Sequence, residues 1–132
     1  METVTDVKDM IILYVADQQR SRNFYKAILN KEPSLDVPGM TEFELNEKTQ
    51  LGLMPENGIV KILGDSLPHP AIGNGIPRCE IYIAVDNVAE AFDNLIKRGG
   101  KAISEPQIRN WGHFVAYGSD PDGHVIALAK KN

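Results

Sequence analysis

The chain has one cysteine, Cys79, so it can form no internal disulfide and gives no reason to expect an oxidising compartment. Cys79 lies in an apolar stretch and reads as an inert, packed thiol. Basic runs are also missing. Fourteen Lys and Arg against eighteen Asp and Glu leave a formal net charge of -4 with no stripe of cations, which argues against nucleic acid as a partner. No apolar run approaches membrane-spanning length, so no membrane partner is expected. The start, Met1-Glu2-Thr3 followed by Asp6, Lys8 and Asp9, lacks the pattern of a secretory leader. The expected location is the cytoplasm. Common catalytic signatures are absent as well: there is no GxxxxGK[ST] phosphate loop and no Ser/His/Asp set on a nucleophile elbow.

The composition that remains, 42% hydrophobic and 24% charged over 132 residues, is that of one folded domain spanning 1–132. Within it, one order of elements occurs twice. Met10 to Val15 is a short β-branched and aromatic run, a strand. Ser21, Phe24, Tyr25, Ile28 and Leu29 then recur at helical spacing, and strands are predicted at Pro33–Val37, Thr41–Leu45 and Thr49–Met54. From Pro55 to Pro77 the chain is rich in Gly and Pro, with a turn or two of helix around Val60. The order then returns: strand Glu80–Val85, helix Val88 to Ile96 ended by Gly99-Gly100, and strands Lys101–Ser104, Trp111–Tyr117 and His124–Lys130. Asp120-Pro121-Asp122-Gly123 joins the last two as a turn; it lacks the ligand pattern of a calcium loop. Superposing Met10 on Glu80 pairs Ile12 with Tyr82 and Asp17 with Asn87. The predicted fold is therefore α+β, two repeated βαβββ units (about 8–54 and 78–131, linker 55–77) forming a curved mixed sheet with a concave ligand cavity.

Strand alternation assigns faces. Ile11, Leu13 and Val15, with Ile81, Ile83 and Val85, should meet the helices. The opposite faces carry Met10, Ile12 and Tyr14, and Glu80, Tyr82 and Ala84. Trp111, His113, Val115 and Tyr117 share one face, and Val125, Ala127 and Ala129 another. Gly52 and Ala127 at strand centres suggest unfilled volume, a cavity for a ligand. His113 either contacts that ligand or sits partly buried. Glu80 could be a general base if the cavity dehydrates it, an anchor for a cation, or a partner of Arg78 or Arg109.

Leu13-Tyr14-Val15-Ala16-Asp17, Ser21, Phe24, Tyr25, Trp111-Gly112 and Asp120-Pro121-Asp122-Gly123-His124-Val125-Ile126-Ala127-Leu128 resemble the vicinal oxygen chelate superfamily. That superfamily includes glyoxalase I, extradiol dioxygenases and the bleomycin resistance proteins. The resemblance implies four metal-ligand slots, and these fall on Met10, Gly52, Glu80 and Ala127, or on Gln50 if the register slips by two. Such a set is poor in donors, so no metal and no cofactor are expected.

The function implied is metal-independent binding of a small aromatic or cationic molecule, as in bleomycin resistance proteins, with Tyr14, Glu80, Tyr82, Trp111 and His113 around it. The alternatives are a metal-dependent lyase or dioxygenase of the glyoxalase type, and a regulatory or structural homodimer with a vestigial pocket. The resemblance also implies a homodimer, with Ile59 to Leu63 as an exposed aliphatic contact.

Overall fold

A computed structural model describes residues 7–132. The Met1-Glu2-Thr3 start, read above for a leader, lies outside the described residues. The chain divides into two compact units, residues 1–26 with 30–72, and residues 27–29 with 73–132.

In the first unit, strand β1 (Asp9–Val15) leads into helix α1 (Gln18–Leu29), followed by β2 (Leu35–Val37), β3 (Met40–Glu44), β4 (Thr49–Pro55) and helix α2 (Glu56–Leu63). Asp17 starts α1 by accepting the Arg20 N–H at 3.0 Å, and Asn30 ends it in the left-handed region with φ 54°. The sheet runs β1-β4-β3-β2, with β1 and β4 parallel and the rest antiparallel. Leu13, Val15, Thr41, Phe43, Leu51 and Leu53 are buried on one face, and Gln18 of α1 donates to Thr41 Oγ1 at 2.9 Å, which puts the helix on that side. Burying each large apolar side chain contributes about 1.5–3 kcal/mol.

The second unit repeats the order: β5 (Glu80–Ala84), α3 (Val88–Lys97), β6 (Lys101–Ile108), β7 (His113–Ser119) and β8 (Val125–Lys131), in sheet order β5-β8-β7-β6. Asn87 caps α3 through the Glu90 N–H at 3.0 Å, the role that Asp17 has in α1. The register repeats too, since Ile12 pairs with Gly52 as Tyr82 pairs with Ala127. α3 seats closely on its sheet. A Cβ on Gly118 would lie 2.7 Å from Leu95 Cδ2, so only glycine permits this approach.

Several expectations are corrected. The two βαβββ repeats with mixed sheets are present, but the strands do not form one curved sheet with a concave cavity. They form two separate four-stranded sheets, neither of them closed. Each closing strand, β4 or β8, lies inside its own sheet with both edges paired, and the six ladders all run within a unit.

The small residues do not mark a hollow either. A Cβ on Gly52 would meet Ile12 Cγ1 and Met10 Sδ at 3.0 Å and Met40 Sδ at 3.3 Å, so long side chains already fill the place. Ala127, fully buried, packs with Val115, Ala129 and Tyr117. Because Val115 pairs with Ala129 and Tyr117 with Ala127, those two sets share a face where separate faces were expected. Cys79 is exposed, not packed. Ile59 to Leu63 lie in α2 with Ile59 buried, leaving Ile62 as the exposed large aliphatic.

Candidate functional site

The face of the second sheet away from α3 gathers most of the chemistry. Glu80 and Tyr82 alternate on β5, and His113 and Tyr117 on β7. Trp111 lies before β7 in the turn closed by Gly112 N–H to Arg109 O at 3.0 Å, so it reaches the face from a loop and not by strand alternation. Its indole N–H donates to Tyr82 Oη at 2.8 Å, and Tyr82 Oη lies 2.7 Å from His113 Nδ1. Indole can only donate. Tyr82 Oη therefore accepts from Trp111, while the direction of its bond with His113 Nδ1 depends on the His113 tautomer. Tyr82 is 43% and Trp111 55% exposed, so this linked trio is open to solvent.

Of the five residues expected around a ligand, Tyr82, Trp111 and His113 are thus in mutual contact, and Glu80 is their neighbour on β5. Tyr14 belongs to the first unit, opposite Met54. Glu80 is exposed and makes no ion pair among the described residues, so of its three alternatives the pairing with Arg78 or Arg109 is not formed. Arg109 is occupied elsewhere. It donates to Val115 O, Ser104 Oγ and Glu105 O, and its guanidinium stands 5.1 Å over the Tyr117 ring. Burial and then the Glu80 carboxylate push the Tyr117 phenol upward against the opposing Arg109, so Tyr117 remains a hydroxyl donor at neutral pH.

Register slips between Ala102 and Ser104 and between Ser104 and Gln107 bend the edge strand β6 against β7. Beside them opens a cleft of ≈ 610 Å³ lined by Lys101, Ser104, Arg109, Tyr117, Ser119 and Val125, among others. Arg109 and Tyr117 were not singled out from sequence as site residues, although alternation already grouped Tyr117 with His113. A second cleft, ≈ 360 Å³, lies in the first unit around Gln18, Arg22 and Asp36. The Arg22–Asp36 ion pair at 2.9 Å occupies its charges.

The turn between β7 and β8 requires the other revision. Expected as a turn alone with no metal ligands, it brings donor atoms of Asp120, Asp122 and His124 within 4.8 Å of one another. Asp120 Oδ1 accepts the Asp122 and His124 N–H groups at 2.9 and 2.8 Å, and Oδ2 lies 2.7 Å from His124 Nδ1. The turn bonds therefore also preassemble a carboxylate–carboxylate–imidazole set that could hold a cation. The four slots implied by resemblance do not fit a metal. Around Gly52 the donors are two thioethers, and Ala127 has none.

The model of the glyoxalase-like domain matches residues 8–131. The chain belongs to the glyoxalase-like domain family. Its fold is that of the vicinal oxygen chelate superfamily, and small-molecule binding goes with that membership. Similar solved structures include a glyoxalase-related enzyme from Fulvimarina pelagi, 21% identical with TM-score 0.78 over 96% of this chain and 88% of that one. A protein from Agrobacterium tumefaciens, solved by NMR, is 25% identical with TM-score 0.71 over 97% of this chain and 99% of the other. A glyoxalase/bleomycin resistance protein from Albidiferax ferrireducens is 21% identical, TM-score 0.66, over 94% and 98%. No curated protein matches this glyoxalase-like domain significantly. No helix among the described residues is long and apolar enough to cross a membrane.

Proposed function

We propose that this glyoxalase-like domain is a metal-dependent enzyme of the lyase type, taking a small organic molecule into its second-unit cleft beside a divalent ion held by Asp120, Asp122 and His124. One observation carries the reading: the three donor groups converge on a turn whose flanking residues, Ser119 and Gly123, also line the cleft. Carboxylates with imidazole suit manganese, zinc or nickel better than a soft ion. Such an ion would supply Lewis acidity toward a ligand oxygen, which asks for no change of oxidation state and so favours a lyase over a dioxygenase. The chain's own part is to orient: Tyr117 offers a neutral hydroxyl, and Arg109 a fixed positive charge.

A second reading, metal-independent binding, is favoured by the hydrogen bonds of Asp120, which use both carboxylate oxygens within the turn. In it Tyr82, Trp111 and His113, with Glu80, would form the ligand surface of the second unit by stacking and hydrogen bonding. Elemental analysis of untagged protein, followed by calorimetric titration with manganese and zinc, separates the two. One equivalent bound by the native chain and lost in Asp122→Asn supports the enzyme; no binding by the native chain leaves the metal-free reading. We also propose a homodimer, to which the exposed Ile62 of α2 would contribute, and sedimentation equilibrium at twice the chain mass is the expected result.

A further inference from the structure

We infer that the second-unit cleft takes a small organic carboxylate, its charge met by Arg109 and Lys101 and its short apolar body lying against Ile103 and Val125. The inference rests on the reading of that cleft as the substrate site and names the class of molecule it accepts. It reverses the sign expected from Glu80.

Charge decides the class. The cleft lining contains two cations, Lys101 and Arg109, and no carboxylate. Neither cation makes an ion pair among the described residues. Arg109 does bond, but to neutral acceptors: Nε to Val115 O at 3.2 Å, and Nη2 to Val115 O, Ser104 Oγ and Glu105 O at 2.8, 3.1 and 3.0 Å. These bonds leave the charge uncompensated while fixing the guanidinium over Tyr117.

Two consequences follow. The side chain is already ordered, so a ligand loses little by freezing it. In addition, Nη1 has no bonded partner among the described residues, and its two N–H groups are left for an acceptor. With Nε and Nη2 committed, the guanidinium offers one nitrogen, so an oxyanion meets it through a single oxygen, and the apolar lining at Ile103 and Val125 favours an organic carboxylate over inorganic phosphate. A carboxylate with one arm on Nη1 and the other toward the Lys101 ammonium or the Tyr117 hydroxyl uses what remains. Glu80 acts on Tyr117 from β5 but is not part of the lining, so its repulsion works from farther away.

The test uses the full chain in ¹H–¹⁵N spectra titrated with benzoate, benzamide, benzylammonium and inorganic phosphate. Benzoate is expected to move the signals of Lys101, Ser104, Tyr117 and the Arg109 side chain, and to bind about ten-fold more tightly than benzamide. Arg109→Gln should weaken benzoate by about ten-fold or more. Because Arg109 also ties β6 to Val115, Lys101→Gln serves as the second variant. Lys101 is exposed with no side-chain bond among the described residues, and its loss should weaken benzoate about two- to five-fold. Benzamide or benzylammonium binding the same residues as tightly as benzoate would overturn the anion while leaving the cleft a binding site. Phosphate binding more tightly than benzoate would overturn the carboxylate class. Shifts from none of the four would overturn both the inference and the cleft as a substrate site.

Discussion

Away from α1, the sheet face of the first unit presents Met10, Ile12 and Met40 closing over Gly52; the matching face of the second unit presents Glu80, Tyr82 and Tyr117 around Ala127. Strand order, parallel register and helix caps agree between the two. The turns that lead into the closing strands correspond as well. Asn46 Oδ1 accepts the Lys48 and Thr49 N–H groups, as Asp120 Oδ1 accepts those of Asp122 and His124. What differs is the side chains set on equal frames. Around Gly52 the first unit sets thioethers and an aliphatic chain, with Tyr14, Glu42 and Gln50 on the same face, and around Ala127 the second sets Tyr82 and Tyr117, with Glu80 and His113 on the same face. A repeated frame therefore lets one copy fill the centre of this face by packing while the other surrounds it with polar groups.

The largest expected effect separates the two turns. Asp120 is buried and bonds its own turn and His124, so Asp120→Ala should cost about 3 kcal/mol in urea denaturation, whereas the exposed Asn46→Ala should cost about 1 kcal/mol. Equal losses would break the comparison. Next come the glycines. A Cβ on Gly118 meets Leu95 and, at 2.9 Å, the Lys101 carbonyl, so Gly118→Ala should destabilise by roughly 1–3 kcal/mol. Gly52→Ala meets side-chain atoms alone, Ile12 Cγ1 and Met10 Sδ at 3.0 Å, and no backbone, so it should cost less than Gly118→Ala.

Smaller again is Tyr82→Phe, expected to cost about 1 kcal/mol and to shift Trp111 emission by removing the indole's acceptor. Unchanged emission would detach Trp111 from the trio.

The smallest effect is alkaline. The folded-state value of Tyr117 is raised by burial and Glu80, so its neutral form stabilises the fold fully below the ordinary tyrosine range, and that contribution fades as pH rises through the raised value. Tyr117→Phe should therefore flatten the loss of stability above about pH 10, and ultraviolet titration of phenolate should lose a step that lies above the ordinary tyrosine range. A titration identical to that of the native chain would contradict the assignment.

Much of the frame was legible because it rests on local rules. Helical spacing at Phe24 and Tyr25 and at Phe92 and Leu95 located both helices, and Asp17 and Asn87, paired by the repeat, prove to be their N-caps. The boundary of β6 was less so: it runs past Pro106, which an edge strand tolerates because no ladder N–H is needed there. The site was legible in part. Alternation brought Tyr82 and His113 to one face, and Trp111 joins them through its turn. Volume was not legible, since Gly52 read as space until Met10 and Met40 were seen to fold over it. Nor was the gathering of Asp120, Asp122 and His124, because a turn motif in sequence does not show that its side-chain donors come within 4.8 Å of one another.

Whether the second unit holds a divalent ion, at the turn of Asp120, Asp122 and His124, is tested most directly by titrating the native chain with Mn²⁺ while following paramagnetic broadening of backbone amides. Broadening that begins at residues 120–124 and spreads to Ser119 and Val125, before any signal near Met10, Gln50 or Gly52, is the predicted result. Broadening that begins in the first unit, or none at one equivalent of manganese, would contradict it.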